Sequence, residues 1–323
     1  MGVMQAGGVR LGAVFPGQGS QSVGMGGDVA RKYPAAADLF ARAERILKYD
    51  LLALTQEGPE EKLRETRYSQ PAIFVTNCAL YAAAGEALRP IASAGHSFGE
   101  LCSLTIANAL AFEDAVRLVH ERAVAMQRAA DLASGAMSAI LGLDPEALRA
   151  IAASVEKEGA GRVALANFNA PGQIVLSGDA EAVRLAGERA LDAGAKRVIA
   201  LNVSGAWHSE LMIPAREAFA PAVRAAKFAL PSFTVVSNVD AQPYRSVETI
   251  VDHVIRSVTD EVLWHETALR LLEERLDIVV EFGAGAVLTP LVKRLPGAPR
   301  TMHVGDSAGV ERLLATLANL APA

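Results

Sequence analysis

Apolar positions along this chain follow two rhythms, short unbroken runs and longer stretches in which they recur at helical spacing. Residues 9–15, apolar but for Arg10, read as a buried strand, end in the loop Pro16-Gly17-Gln18-Gly19-Ser20-Gln21, and give way to helical spacing over 35–48. A second helix is expected over 70–88, with Pro71 in its first turn, where a missing N–H costs nothing. The small apolar run 91–94 predicts a strand, 101–110 a helix, and 113–128 a longer amphipathic helix. Between Gly135 and Ser204 the rhythm changes to strand 137–143, helix 144–158, strands 163–168 and 173–177 around the turn Asn169-Ala170-Pro171-Gly172, helix 179–193 and strand 197–203. That β-α-β-β-α-β order is the order of a ferredoxin-like unit. Alternation of strand and helix then resumes, with strands over 234–238, 277–282 and 301–304. The expected class is α/β: a large subdomain over 1–133 and 205–323 with a mostly parallel sheet covered on both faces, and an inserted small ferredoxin-like subdomain over 134–204.

Composition narrows what such a fold is for. With 323 residues, 51% of them apolar, the chain can bury a large core. No apolar run reaches the roughly 18 residues of a membrane span, and the N-terminus lacks the succession of a signal peptide, so a cytoplasmic protein is expected. Met1-Gly2 does not open a myristoylation signal, because Ala6 stands where that signal needs Ser or Thr. Cys78 and Cys102 are expected to be buried free thiols. A net charge of -5 argues against a nucleic-acid partner, while leaving room for a local basic patch that receives an acidic one.

The chemistry concentrates at Gly95-His96-Ser97-Phe98-Gly99-Glu100, which lies between a predicted strand and a predicted helix. A serine on such a turn, flanked by glycines, is a nucleophile elbow and gives the large subdomain an α/β-hydrolase-like character. Serine needs a base. Of six histidines, His96 adjoins Ser97 and should diverge from it, His120 and His253 fall on charged helical stretches that read as solvated, and His265 starts a helix. His208 follows the strand 197–203, in the kind of strand-end loop where parallel sheets gather active sites, and His303 in a late strand is the alternative. Two arginines on the helix 113–128 differ in their neighbours three and four residues away. Arg117 meets Glu113, Asp114, His120 and Glu121, whereas Arg122 meets Leu118, Val119, Ala125 and Met126 and therefore projects from the apolar stripe. A buried guanidinium needs an anion, either an internal carboxylate or a substrate's. The loop at Gly17 is not a dinucleotide fingerprint, since Ser22 occupies its third glycine position, but it can bring backbone amides to an oxyanion.

Taken in order, Phe15-Pro16-Gly17-Gln18-Gly19-Ser20-Gln21, the elbow hexapeptide, the arginine of Val116-Arg117-Leu118-Val119-His120-Glu121-Arg122, Asn169-Ala170-Pro171-Gly172-Gln173 and Gly205-Ala206-Trp207-His208-Ser209 resemble the malonyl-CoA:acyl carrier protein transacylases over nearly the whole chain. The resemblance implies a discrete enzyme of type II fatty-acid synthesis, with Ser97 as the acylated nucleophile, His208 as base, Arg122 on the malonyl carboxylate, and the amides of Gln18 and Phe98 as oxyanion hole. It places Met126 and Trp207 in the substrate pocket. Trp207 is bulkier than the small residue that precedes the histidine in methylmalonyl-selective relatives. In this family a main-chain carbonyl, usually of a glutamine, orients the histidine; Ser257 stands at that position here, and Glu261 and Leu263 replace a frequent proline and arginine nearby.

The implied reaction is ping-pong transfer from malonyl-CoA, through malonyl-serine, to the phosphopantetheine thiol of acyl carrier protein, with no cofactor beyond CoA as product. A monomer is expected, with Lys196, Arg197, Lys293 and Arg294 as candidate contacts for an acidic carrier. Three other readings stand beside it: an acyltransferase of a polyketide pathway, a serine hydrolase or thioesterase of the α/β-hydrolase class, and a carrier-docking module without activity. The hydrolase would call for an Asp or Glu behind its histidine and gives Arg122 no task.

Overall fold

Nine strands gather into two sheets in this computed structural model, which describes residues 8–85, 88–133, 135–203 and 205–320. The strands are β1 (Leu11–Phe15), β2 (Pro90–Gly95), β3 (Gly135–Leu141), β4 (Val163–Ala170), β5 (Gln173–Asp179), β6 (Arg197–Ala200), β7 (Thr234–Val236), β8 (Ile278–Phe282) and β9 (Arg300–Val304). The larger sheet runs β7-β2-β1-β8-β9 with every pairing parallel. Its central strands β1 and β8 are buried at every position, Glu281 included, as near-continuous apolar runs predict for a sheet covered on both faces. Successive side chains of β1 serve opposite layers. Ala13 and Phe15 join a core with the helix Thr66–Ala83, whereas Val14 packs with Trp264 and Leu271 of the helix Trp264–Leu272.

The second sheet is antiparallel, in the order β4-β5-β3-β6. Helices Pro145–Lys157 and Ala180–Asp192 cover one face, burying Leu148, Val155, Val183 and Ala186 against Ile140, Leu165 and Leu176. This is the ferredoxin-like arrangement expected from the element order. On its other face Met137, Ala166 and Val175 join the main core, so the small sheet leans on the large body along the cleft that holds the site. The proposed subdomain boundaries at 134 and 204 lie outside the described residues.

Several elements differ from expectation, each for a tertiary reason. The helix expected over 70–88 runs Thr66–Ala83, so Pro71 sits inside it and leaves the Arg67 carbonyl without its intrahelical donor; residues 86–87 lie outside the description. Its start is set from a distance, because Gln127 Oε1 accepts from Thr66 N at 2.9 Å. Short helices Gly27–Lys32, Leu51–Glu57 and Glu60–Arg64 fill a stretch with no clear period. β7 ends at Val236, two residues early, where the chain turns away at Ser237. β6 ends at Ala200, so Leu201 and Val203 leave the sheet and reach the cleft. His253 is buried instead of solvated, its Nδ1 3.0 Å from Ser237 Oγ. Cys78 and Cys102 are buried and free. Among the described residues no helix is long and apolar enough to cross a membrane.

Candidate active site

The elbow is built by exclusion. β2 stops at Gly95 and the next helix, Gly99–Ile106, starts four residues on. A Cβ on Gly95 would fall 1.9 Å from the carbonyl carbon of Gly99, and one on Gly99 would fall 2.4 Å from the carbonyl oxygen of Phe15, so neither position admits a side chain. Between them Ser97 takes φ 54°, a left-handed conformation that costs a serine free energy and persists only when its surroundings enforce it. The enforcement comes from Asn238, whose Oδ1 accepts from Ser97 N at 2.7 Å. Asn238 N in turn donates to Glu100 Oε2 at 2.7 Å, and Tyr244 Oη donates to Glu100 Oε1. Burial pushes the Glu100 carboxyl up to about 7, against the pull of those two donors.

His208 lies in the loop after β6, also left-handed at φ 58°. Its Nε2 is 2.8 Å from Ser97 Oγ, and its Nδ1 is 3.0 Å from the carbonyl oxygen of Asp260. A carbonyl can only accept, so Nδ1 carries the proton and the Nε2 lone pair faces the serine hydroxyl. Burial first, then the charge of Arg122, depresses this imidazole to about 3, which keeps it neutral at neutral pH.

The expected orienting carbonyl, that of Ser257, is corrected to Asp260; the Ser257 carbonyl makes a lesser contribution to the ring. The reason is local winding. After the helix Val247–Arg256 the chain turns once more, with Thr259 N and Asp260 N both donating to the Arg256 carbonyl, and so presents a carbonyl one turn further on. Glu261, where proline is frequent, forms a two-pronged pair with Arg149 at 2.6 and 2.9 Å and ties this segment to the helix Pro145–Lys157. Val262 N donates to the Ala166 carbonyl and accepts from Phe168 N through its own carbonyl, adding a backbone link to β4.

The other histidines are engaged elsewhere. His303 Nε2 bonds the Gly283 carbonyl at 2.7 Å on the far side of the sheet order, and His96 Nε2 bonds Asn169 Oδ1 at 2.8 Å, turned away from Ser97 as expected. Neither His120 nor His265 lines the cavity.

Arg122 lies on the helix Phe112–Leu132 and is 1% exposed. Its Nη1 donates to Gln70 Oε1 at 2.9 Å, its Nη2 reaches Ser97 Oγ at 3.3 Å, and its Nε has no partner among the described residues. Those contacts include no carboxylate. Burial lowers the guanidinium to about 10, with the Glu100 charge opposing, so it remains a cation at neutral pH. Arg117 on the same helix is exposed and paired with Asp114 at 2.7 Å. A cation of this kind beside a serine, with spare donors, is a receptor for an anionic group.

Ser97, His208 and Arg122 open on a cavity of about 100 Å³ that Met126, Met137 and Trp207 also line. That is room for roughly three waters' share of liquid volume, which suits a short acyl group. An adjoining cleft of about 590 Å³ shares Gln18, Leu201 and Val203 with it and gives access. The Gln18 loop is drawn onto the elbow: a Cβ on Gly17 would lie 2.7 Å from the His96 carbonyl, Ser20 Oγ donates to the Gly17 carbonyl at 2.8 Å, and Asn77 Nδ2 donates to the Pro16 carbonyl at 3.2 Å. Among the described residues the amides of Gln18 and Phe98 find no protein acceptor, and no cluster with metal-ligand character occurs. Asn169 falls in a motif that the sequence marks without giving it a role, while Asn238 and Gln70 carry no local signal, because their partners come from distant segments.

Residues 13–308 match the model of the acyl transferase domain. The chain is 40% identical over 309 residues to the malonyl CoA-acyl carrier protein transacylase of Bacillus subtilis (strain 168), covering 95% of this chain and 97% of the relative. It is 42% identical over 287 residues to the protein of the same name from Escherichia coli (strain K12), covering 87% and 91%. Among solved structures, FabD from Acinetobacter baumannii aligns with a TM-score of 0.91 at 34% identity, covering 97% of this chain and 100% of that one. A malonyl-transacylase solved in complex with a type II polyketide acyl carrier protein aligns with a TM-score of 0.90 at 38% identity, covering 95% and 99%.

Proposed function

The chain belongs to the acyl transferase domain family, and on that premise we propose that it moves the malonyl group of malonyl-CoA onto the phosphopantetheine thiol of an acyl carrier protein, through a malonyl ester of Ser97. The observation that carries this reading is the serine–histidine contact of 2.8 Å set beside a buried guanidinium that has spare donors and no carboxylate. The malonyl carboxylate lies on Arg122, which accounts for the burial of a cation here, and its thioester carbonyl points at the amides of Gln18 and Phe98.

His208 Nε2 takes the proton as Ser97 Oγ attacks the thioester carbon. The carbonyl electrons move onto oxygen, where two preorganised amides stabilise them. Collapse breaks the C–S bond, and the imidazolium gives its proton to the departing CoA thiolate. The carrier thiol then repeats the sequence in reverse: it yields its proton to His208, attacks the malonyl ester, and Ser97 leaves with the proton returned. Through Nδ1 the Asp260 carbonyl holds the ring in the one tautomer that serves both half-reactions. A bound malonate carboxylate also cancels the Arg122 charge that depresses His208, so the correct substrate strengthens its own base.

The malonyl thioester so formed is the extension unit of fatty-acid synthesis, and a cytoplasmic monomer docking its carrier through exposed Lys196, Arg197, Lys293 and Arg294 completes the reading. Against a hydrolase stands the base's support, a main-chain carbonyl in place of a carboxylate. Incubation with malonyl-CoA followed by intact-mass and peptide analysis tests the proposal. One malonyl group on Ser97 is expected, and an unmodified enzyme overturns it.

A further inference from the structure

Asn238 spends three polar groups on three different parts of the site. Its Oδ1 accepts from the amide of the nucleophile, its backbone N–H donates to Glu100 on the elbow helix, and its carbonyl accepts from Leu263 N at 3.0 Å, three residues beyond the carbonyl that orients His208. Nucleophile and base come from separate segments, the elbow after β2 and the loop after β6. Asn238 is itself held. It sits just after β7 at the start of a tight excursion closed by Ser237 N to the Gln242 carbonyl and by Tyr244 N to the Val235 carbonyl. The Glu100 carboxylate grips both ends of that excursion, one oxygen on Asn238 N and the other on Tyr244 Oη, in a fully buried setting.

We propose that Asn238 is a positioning residue that sets the nucleophile in register with its base, and that Glu100 and Tyr244 hold Asn238 in place. The inference rests on the acyl-transfer reading. It follows from what Ser97 needs: at φ 54° its amide is engaged by Asn238, and the next amide, that of Phe98, is the one the acyl-transfer reading gives to the oxyanion. Rotation of the Ser97 peptide therefore displaces Oγ from His208 and the oxyanion donor together, and a shift of about 1 Å in reacting groups can cost on the order of 100-fold in rate. The pattern also says which property of Glu100 matters. Its oxygens serve as anchors for two donors, and a protonated acid or an amide can satisfy the same pair, accepting from Asn238 N and donating to Tyr244 Oη.

The test is single-turnover malonylation of Ser97, with KM for malonyl-CoA and melting temperature measured on the same samples. Asn238→Ala keeps both backbone bonds and deletes only the acceptor for the Ser97 amide. It is expected to slow acylation about 10-fold to 100-fold with KM within about three-fold of the parent. Glu100→Ala is expected to lose a similar factor, and Glu100→Gln to recover most of it. A folded Asn238→Ala protein that acylates within about three-fold of the parent overturns the proposal. If Asn238→Ala does not fold, the Glu100 pair decides: no loss in Glu100→Ala, or no recovery in Glu100→Gln, overturns it equally. A parent enzyme that never acylates Ser97 would instead overturn the acyl-transfer reading, so the two failures are distinct.

Discussion

Replacing Arg122 with alanine separates acyl selectivity from general damage, because on the proposed acyl-transfer reading this side chain has two effects of opposite sign. The guanidinium is 1% exposed, engages Gln70 and Ser97, and among the described residues its Nε has no partner. On the proposed reading a malonyl carboxylate completes a buried, charge-assisted pair with this guanidinium, which an acetyl group cannot make. Truncating one partner of such a pair costs about 2–5 kcal/mol, which at about 1.36 kcal/mol per decade is about 30-fold to 5,000-fold in kcat/KM. Acetyl transfer loses no such pair, and it gains from removal of the charge that helps hold His208 at about 3. Arg122→Ala should therefore depress kcat/KM for malonyl-CoA by that factor, spare or raise it for acetyl-CoA, and narrow or invert the ratio. Arg117→Ala, on an exposed side chain paired with Asp114, should change neither. The assay is initial-rate transfer from each CoA ester to one carrier protein. Equal losses for both esters in Arg122→Ala would mean that this arginine only supports the fold.

Other outcomes follow from the same geometry. Ser97→Ala should form no acyl-enzyme while its melting temperature stays near that of the parent, since the hydroxyl faces the cavity; stable malonylation of this variant would refute the assignment. His208→Ala should slow acylation by about 100-fold to 10,000-fold, and His303→Ala, bonded to the Gly283 carbonyl, should not. Because the free-enzyme His208 sits at about 3, below the ordinary 6.5, the active neutral form persists as pH falls. The acidic limb of kcat/KM should therefore lie well below pH 6.5, and a profile that halves near 6.5 would show an imidazole unperturbed by its burial. Transfer to an acidic carrier should weaken as salt rises and when Lys196, Arg197, Lys293 and Arg294 are reversed in charge; insensitivity to both would remove this docking surface.

Much of this architecture is legible in the sequence because its causes are local. The apolar runs at β1 and β8, the latter broken only by Glu281, announce a sheet buried on both faces, and the segment Asn169-Ala170-Pro171-Gly172 makes the expected hairpin, with β4 extended through Ala170 and the turn confined to Pro171-Gly172. Gly95 and Gly99 mark the elbow because no side chain fits at either position, and Arg122 stands out because its helical neighbours are apolar. What escaped has distant causes. The start of the helix Thr66–Ala83 depends on Gln127, the end of β7 on a turn that places Asn238 under Ser97, and the burial of His253 on Ser237. The orienting carbonyl moved from Ser257 to Asp260 because the chain winds one turn beyond its helix, a detail of backbone path that residue type does not encode.

If transfer runs through Ser97, the isolated malonyl-enzyme is a competent intermediate, and its fate is decisive. The enzyme is loaded with malonyl-CoA, freed of excess reagent, and divided between buffer and carrier protein bearing its phosphopantetheine arm, with both followed by intact mass. The malonyl group is expected to persist on Ser97 in buffer and to pass quantitatively to the carrier within the turnover time. Rapid loss to water with no malonyl-carrier formed would contradict this expectation and make this protein a hydrolase.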